Sequence, residues 1–265
     1  MCGCQNGAPS VISEVSIAFS SVVGFGEKVC TGSGGENRCG FLGAYPKSIT
    51  RPKTRLVLSA DHGQPEAPGY LHKIGIRKGQ YFDFKGLDKT AAIAAVKKQF
   101  GFGKELIEIY YHPYVYLNRQ LIEEKGLGLP EVEKAVAAEL MKMPGIAYAV
   151  SSSALRKGEE PAFARMKSVL NNYKPKRSGD VYVVFEPDVF INDFDGLVVA
   201  STHGSPWRYD TFVPVMFAGN GLSAKQISRA VTPYDIAVTL AAYLGVKAPS
   251  GSIGNQLPEV MLNSR

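Results

Sequence analysis

Short apolar runs alternate with segments of helical periodicity through most of the chain. Runs of four to eight apolar residues are typical of buried strands, and apolar residues three or four apart indicate helices. The predicted strands cover residues 56–58, 105–110, 114–117, 146–150, 180–185 and 213–219. The predicted helices cover residues 87–100, 119–124, 131–143, 161–170 and 232–244. This order of elements predicts an α/β fold.

Proline and glycine refine the last two elements of this pattern. Pro214 lies inside the run 213–219, which favours an edge strand or a bulge. Thr232 is expected to be the N-cap of the last helix, with Pro233 in its first position and Gly245 at its end. The last strand and helix are therefore expected to follow one another closely.

The first 53 residues differ from the rest of the chain. They are rich in glycine and serine around residues 31–37 and show no clear helical periodicity after residue 21. We therefore expect residues 1–53 to form a divergent N-terminal segment and residues 54–265 an α/β domain. Residues 66–179, approximately, are expected to form a small α+β insert, since no Pro/Gly-rich linker separates them from the domain.

Composition excludes some classes of partner and leaves others open. The chain has 265 residues and a formal net charge of +6, but its lysines and arginines are scattered, which argues against a nucleic-acid partner. No apolar run approaches the roughly 18 residues of a membrane span. The first residues also lack the pattern of a signal peptide, and the sequence leaves the compartment open. A mild positive field suits an anionic substrate.

The first candidate site follows the predicted strand 56–58. Asp61 and His62 are adjacent, so both can serve one site only if the strand has ended and the backbone turns there. Gly63 permits such a turn. An Asp-His pair at an ordinary surface loop is the competing interpretation. In open α/β sheets the carboxyl ends of strands are where chemistry takes place.

A second histidine, His203, is also followed by glycine and lies before the predicted strand 213–219. The two histidines are 203 − 62 = 141 positions apart, so only the fold can bring them together. Imidazole nitrogen and carboxylate oxygen both suit zinc, and a catalytic zinc commonly has three protein ligands. Asp61, His62 and His203 could supply these. His72 and His112 are expected to be structural or exposed.

Several separated motifs resemble the alkaline phosphatase superfamily, in the order in which that family has them. They are Leu58-Ser59-Ala60-Asp61-His62-Gly63, Thr202-His203-Gly204-Ser205-Pro206-Trp207, Tyr209-Asp210-Thr211 before Val213-Pro214-Val215, Thr232-Pro233-Tyr234-Asp235-Ile236-Ala237 and Pro249-Ser250-Gly251. The resemblance is strongest to the bacterial phosphate-irrepressible type and to nucleotide pyrophosphatase/phosphodiesterases. It runs from about Lys53 to the C-terminus. It implies a three-layer α/β/α sandwich, truncated to its C-terminal half.

The resemblance also implies a function and a cofactor. Family members clamp a phosphate ester between two zinc ions about 4 Å apart. Asp61 and His62 fall where the family binds the zinc that activates the nucleophile, and His203 falls where it binds the other zinc. The family's nucleophile and an Asp-x-x-x-His pair have no counterpart here, so residues 22–52 are hypothesised to be divergent or frame-shifted. The catalytic nucleophile is therefore unknown.

Three functions stay open at this point. The chain is a metal-dependent phosphate monoester hydrolase, an inactive metal-binding fragment, or a phosphodiesterase. Thr202 and Ser205 are the hydroxyl side chains closest in sequence to a ligand, although such residues beside glycine more often form turns. Half of a sheet exposes an edge, which favours homo-oligomerisation. Relatives of the family are commonly periplasmic.

Overall fold

The computed structural model describes residues 15–17, 55–159, 162–194, 196–219 and 222–261. These residues form two compact units. One contains His62–Thr211, and the other combines the described residues 15–17 and 55–61 with those from Phe212 onward. The predicted N-terminal segment 1–53 lies outside the described residues except for Val15–Ile17, so its divergence stays a prediction, as do the boundaries of the insert.

Every predicted strand and helix overlaps an element of the structure, which also contains several short elements that the sequence pattern did not predict. The strands are β1 (Val15–Ile17), β2 (Arg55–Ser59), β3 (Gln80–Tyr81), β4 (Ile107–Tyr111), β5 (Tyr114–Leu117), β6 (Ile146–Ser151), β7 (Val181–Phe185), β8 (Val189–Phe190), β9 (Asp193–Phe194), β10 (Leu197–Val198), β11 (Val215–Gly219) and β12 (Lys225–Ile227). The α-helices are α1 (Pro68–Lys73), α2 (Ala91–Phe100), α3 (Arg119–Glu124), α4 (Leu129–Leu140), α5 (Ser152–Lys157), α6 (Met166–Asn172), α7 (Arg208–Thr211), α8 (Asp235–Leu244) and α9 (Pro258–Met261).

The unit His62–Thr211 is built on an antiparallel sheet in the order β4-β5-β7-β6. Successive side chains of β7 point to opposite faces. Val181 and Val183 pack in one core cluster with residues of α2 and α4, whereas Tyr182 and Val184 pack in a second cluster with Val169 of α6. Both faces of β7 are therefore covered, which explains its uninterrupted apolar sequence.

The second unit contains a mixed sheet in the order β12-β1-β11-β2. Strand β11 runs parallel to β1 and antiparallel to β2. Val215 and Phe217 of β11 are fully buried and share a core cluster with Leu257 near the C-terminus. Because β11 lies inside the sheet, the edge position expected from Pro214 is wrong. Pro214 is exposed and precedes the strand, so it occupies no position in the hydrogen-bond ladder.

Three helix boundaries also differ from the expectation. A single 3-10 turn, Leu87–Lys89, precedes α2, and the side chain of Thr90 caps that helix. Helix α6 begins five residues later than predicted. Helix α8 has Tyr234 at its N-cap, and Thr232 instead donates its backbone N–H to Oδ2 of Asp235 over 2.7 Å. None of the helices in the described residues is long and apolar enough to cross a membrane.

Candidate active site

The fold brings His62 and His203 into direct contact. Their imidazole rings stack with centroids 3.4 Å apart and planes inclined by 15°. His62 is half-buried and His203 is exposed. Both residues belong to the unit His62–Thr211, whereas Asp61, the preceding residue, belongs to the other unit and is exposed. The geometry thus joins two of the three predicted ligands, and the role of Asp61 stays a prediction.

The loop that carries His62 begins where β2 ends, at Ser59. Nδ1 of His62 lies 2.7 Å from the backbone oxygen of Gly63. A carbonyl only accepts hydrogen bonds, so Nδ1 carries a proton in this contact, and in the neutral ring the lone pair is then on Nε2. Metal-binding histidines commonly donate their second ring N–H to a backbone carbonyl in this way. The tautomer of His62 therefore suits a metal ligand.

Gly63 is required because two backbones approach closely there. Its N–H donates to the backbone oxygen of Asp210 over 2.8 Å. A Cβ atom at this position would lie 1.9 Å from the backbone oxygen of Tyr209. The φ angle of Gly63 is not in the left-handed region. Glycine is therefore needed here because a side chain would not fit, and not for the backbone turn that the sequence analysis expected. The side chain of Gln64 also bonds to both oxygens of Ser201, which ties the two loops together again.

Asp210 organises the loop that carries His203. Its carboxylate Oδ2 accepts hydrogen bonds from the backbone N–H and the hydroxyl of Ser205, over 2.7 and 2.6 Å. The side chain is 4% exposed, and Oδ1 makes no hydrogen bond of normal geometry within the described residues. Burial raises the pKa of Asp210, while the bonds from Ser205 and Gly204 and the nearby charge of His62 lower it. Sequence analysis included Asp210 in a motif but assigned it no role.

The same loop is attached to the four-stranded sheet of its unit. The indole Nε1 of Trp207 donates to the backbone oxygen of Phe185 over 2.8 Å, at the end of β7. The hydroxyl of Tyr209 accepts the N–H of Asp188 over 3.2 Å, and burial raises the pKa of Tyr209 to about 12. The loop therefore has fixed contacts on a rigid element, as a site that holds a small group requires.

His112 lies half-buried beside this loop, and its expected structural role stays a prediction. Its Nδ1 is hydrogen bonded to the hydroxyl of Tyr110 over 2.7 Å. Desolvation lowers the pKa of His112 to about 4, and the charge of His203 lowers it further. A hydrogen bond with the Gly204 backbone acts in the opposite direction. A neutral His112 therefore supports the loop without adding charge. His72 is exposed on α1.

The two stacked histidines fit a metal site by donor type but do not complete one. The described residues contain no group of three His, Cys, Asp or Glu side chains arranged to hold a metal ion. His62 Nε2 is a suitable donor because of its tautomer, and the exposed ring of His203 lies against it. Two imidazoles thus supply part of a zinc ligand set.

Comparisons with known proteins show what this chain is similar to. No family model matches the chain. A protein of Myroides odoratus named calcium-transporting ATPase is 31% identical over 83% of this chain and 39% of its own length. Alkaline phosphatase PafA of Elizabethkingia meningoseptica is 27% identical over 83% of this chain and 39% of its own. Alkaline phosphatase PhoD of Zymomonas mobilis is 27% identical over 93% of this chain and 44% of its own.

The decisive comparison is structural. The crystal structure of wild-type PafA superposes on 77% of this chain, and on 38% of its own, with a TM-score of 0.62 and 27% identity. The chain resembles one part of the alkaline phosphatases in both sequence and fold. It spans less than half the length of the relatives it matches, which agrees with the expectation of a truncated alkaline-phosphatase-like α/β fold.

Proposed function

We propose that this chain is a member of the alkaline phosphatase superfamily and takes part in the metal-dependent hydrolysis of phosphate monoesters. Asp61, His62 and His203 are proposed as metal ligands, and zinc is the proposed metal. The observation that carries the proposal is the stack of His62 on His203, with the tautomer of His62 fixed by the Gly63 carbonyl. The names of the relatives support phosphoric ester hydrolysis as the reaction class.

Each residue of the proposed site has a separate task. A bound zinc ion would supply Lewis-acid stabilisation of phosphoryl oxygens and lower the pKa of a water molecule. His62 and His203 would each offer a ring nitrogen to zinc, and Asp61 would offer a carboxylate oxygen. In the two-zinc arrangement that the resemblance implies, His203 would bind the second ion. The net charge of +6 favours the approach of an anionic phosphate ester.

The nucleophile is not assigned to a residue of this chain. The hydroxyl of Ser205 donates to Asp210 and its oxygen accepts the N–H of Trp207 over 3.3 Å, so Ser205 is a turn former rather than a substitute nucleophile. Thr202 lines a small recess together with His203 and His112. Ser205 and Tyr209 line the same recess, so three hydroxyl side chains lie beside His203.

An inactive metal-binding fragment is the second candidate function. The sequence analysis left this function open beside hydrolysis. Such a fragment would bind zinc through the same histidines without turnover. Phosphodiester hydrolysis is a variant of the first candidate, and substrate preference separates the two.

The test measures hydrolysis of p-nitrophenyl phosphate and of bis(p-nitrophenyl) phosphate with added zinc at alkaline pH. Loss of turnover in His203→Ala, with turnover retained in the matched control His72→Ala, would support a histidine-dependent hydrolase. Zinc binding that needs His62 and His203, without turnover, would identify the inactive fragment. Turnover or zinc binding that survives His62→Ala and His203→Ala would contradict the proposed site.

A further inference from the structure

Asp210 is a buried carboxylate that touches both loops of the proposed site. Its backbone oxygen accepts the N–H of Gly63, the residue after His62. Its side chain accepts two hydrogen bonds from Ser205, two residues after His203. The neighbours of both histidines are thus bonded to a single residue.

The backbone of Asp210 is itself fixed. Its N–H donates to the backbone oxygen of Trp207 over 3.1 Å, inside the turn that begins α7. Trp207 is in turn bonded to Phe185 at the end of β7. Asp210 therefore has a fixed position, and the conformations of the two histidine loops are set by their hydrogen bonds to it.

We propose that Asp210 is a positioning residue that sets the separation of the His62 and His203 rings through its hydrogen bonds to Gly63 and Ser205. Four hydrogen bonds of Asp210 take part: one from its N–H, one to its carbonyl oxygen and two to Oδ2. This inference deepens the proposed function, because it concerns the two histidines assigned to the metal.

Substitutions at Asp210 distinguish the effect of its hydrogen bonds on the histidine loops from the effect of burying a side chain at this position. Asp210→Ala removes both bonds to Ser205. Asp210→Asn keeps an amide oxygen that can accept both bonds from Ser205, and it replaces the other carboxylate oxygen by a nitrogen that cannot accept the N–H of Gly204. Ser205→Ala is a milder change, since it removes one of the two bonds and leaves the backbone N–H in place.

Asp180→Asn is the matched control for the loss of a buried carboxylate. Asp180 is 1% exposed and accepts hydrogen bonds from the Leu117 N–H and from Arg119. None of these partners belongs to the histidine loops. Asp180→Asn should therefore lower stability without changing the separation of the histidine rings.

The first readout is the ring-proton spectrum of the four histidines in the full chain without metal, labelled in the histidine rings and recorded at a fixed pH of about 8. Stacked imidazoles shield one another, so His62 and His203 should resonate upfield, and His62→Ala should abolish the shift of His203. We expect Asp210→Ala to lose the upfield shift and Asp210→Asn and Asp180→Asn to retain it. An unchanged shift in Asp210→Ala, or an equal loss in Asp210→Asn, would overturn the proposal.

The second readout is zinc affinity, measured by competition with a chromophoric chelator. Loss of a supporting contact typically lowers metal affinity by about 10–100-fold. Asp210→Ala should show a loss of this size and Asp180→Asn none. If the parent binds no zinc through His62 and His203, the proposed function fails, while the ring spectrum still decides the role of Asp210. If Asp210→Ala does not fold, Ser205→Ala replaces it, and an unchanged His203 spectrum in that variant would overturn the proposal.

Discussion

Trp207 and Phe185 are joined by a hydrogen bond from the indole Nε1 to a backbone oxygen, 2.8 Å long, which attaches the His203 loop to the end of β7. The indole ring also meets the Phe163 ring edge to face. The attachment therefore combines one directional bond with apolar packing. It connects the histidine pair to the stability of the four-stranded sheet.

Replacement of this tryptophan should separate the two contributions. Trp207→Phe keeps an aromatic ring but leaves the Phe185 oxygen without its donor, which should cost about 1–3 kcal/mol in the free energy of unfolding. The change is measured by urea unfolding followed by circular dichroism. Tryptophan fluorescence cannot be used, because the substitution removes the only tryptophan of the chain. Tyr70→Phe, on the exposed face of α1, is the control. Equal stability of Trp207→Phe and the parent would contradict the bond's contribution.

A methyl group at residue 63 should disrupt the contact between the two loops. Gly63→Ala would place Cβ 1.9 Å from the Tyr209 oxygen, so the loops must separate. We expect a loss of about 1–3 kcal/mol, the usual cost of overpacking, together with weaker zinc binding. Gly103→Ala is the control, because a Cβ there would have no atom within 4 Å. A Gly63→Ala variant that matches Gly103→Ala in both measurements would refute the close approach.

Glu133 should make stability depend on pH. It is fully buried on α4; Oε2 accepts the N–H of Ser153, and Oε1 has no hydrogen-bond partner among the described residues. Burial raises the pKa of Glu133 above 4.5, against the bonds from Ser153 that lower it. Its stabilising contribution is therefore complete below about pH 4.5 and is lost as the pH rises through the folded-state pKa.

Glu133→Gln tests this dependence, because the amide is neutral at every pH. The stability of the parent relative to Glu133→Gln should fall as the pH rises above about 4.5, as measured by urea unfolding at a series of pH values. Glu139→Gln, at the surface of the same helix, controls for the change in net charge. A difference between parent and Glu133→Gln that does not vary with pH would show that Glu133 titrates normally.

Asp88 should have the opposite dependence. Its Oδ1 accepts the N–H groups of Leu106 and Ile107, and its Oδ2 accepts Lys97 Nζ over 2.7 Å. Desolvation raises the pKa of Asp88, but these hydrogen bonds outweigh it and the pKa is lowered from 3.8. Its contribution is present above about pH 3.8 and lost as the pH falls through the folded-state pKa.

Asp88→Asn should therefore lower stability near neutral pH by about 1.5–3 kcal/mol, the usual contribution of hydrogen bonds to a charged group. The difference from the parent should shrink on acidification below pH 3.8. Asp83→Asn, in an exposed turn where the carboxylate accepts only a local hydrogen bond from Lys85 in the described contacts, is the control. A loss in Asp83→Asn equal to that in Asp88→Asn would contradict the assignment.

Periodicity predicted the elements whose apolar pattern is determined by burial. Strands β5 and β7 and helix α3 lie where the sequence indicated, because their side chains are covered by the core. Helix starts were less predictable. Asp235 takes the N–H of Thr232 and that of Asn255, 20 residues away, and no local pattern encodes the second partner.

Sequence analysis singled out the two histidines of the candidate site but not the residue that holds their loops, Asp210. His62 and His203 stand out in sequence because each precedes a glycine at a strand-associated loop. The role of Asp210 depends on loop conformation and on a backbone contact with Gly63, and a motif carries no information on either. The nearest local signal is the spacing of Ser205 and Asp210, which allows a side chain to close a turn.

The stack of His62 on His203 also has a consequence for the order of folding. The contact closes a segment of 203 − 62 = 141 positions, and closing so long a flexible loop would cost about 4 kcal/mol of chain entropy. Once the β4-β5-β7-β6 sheet has folded, Trp207 is bonded to the end of β7, so a shorter flexible loop remains to be closed between the two histidines. The histidine pair is therefore expected to form late, after the sheet, and to report in its spectrum whether the sheet has assembled.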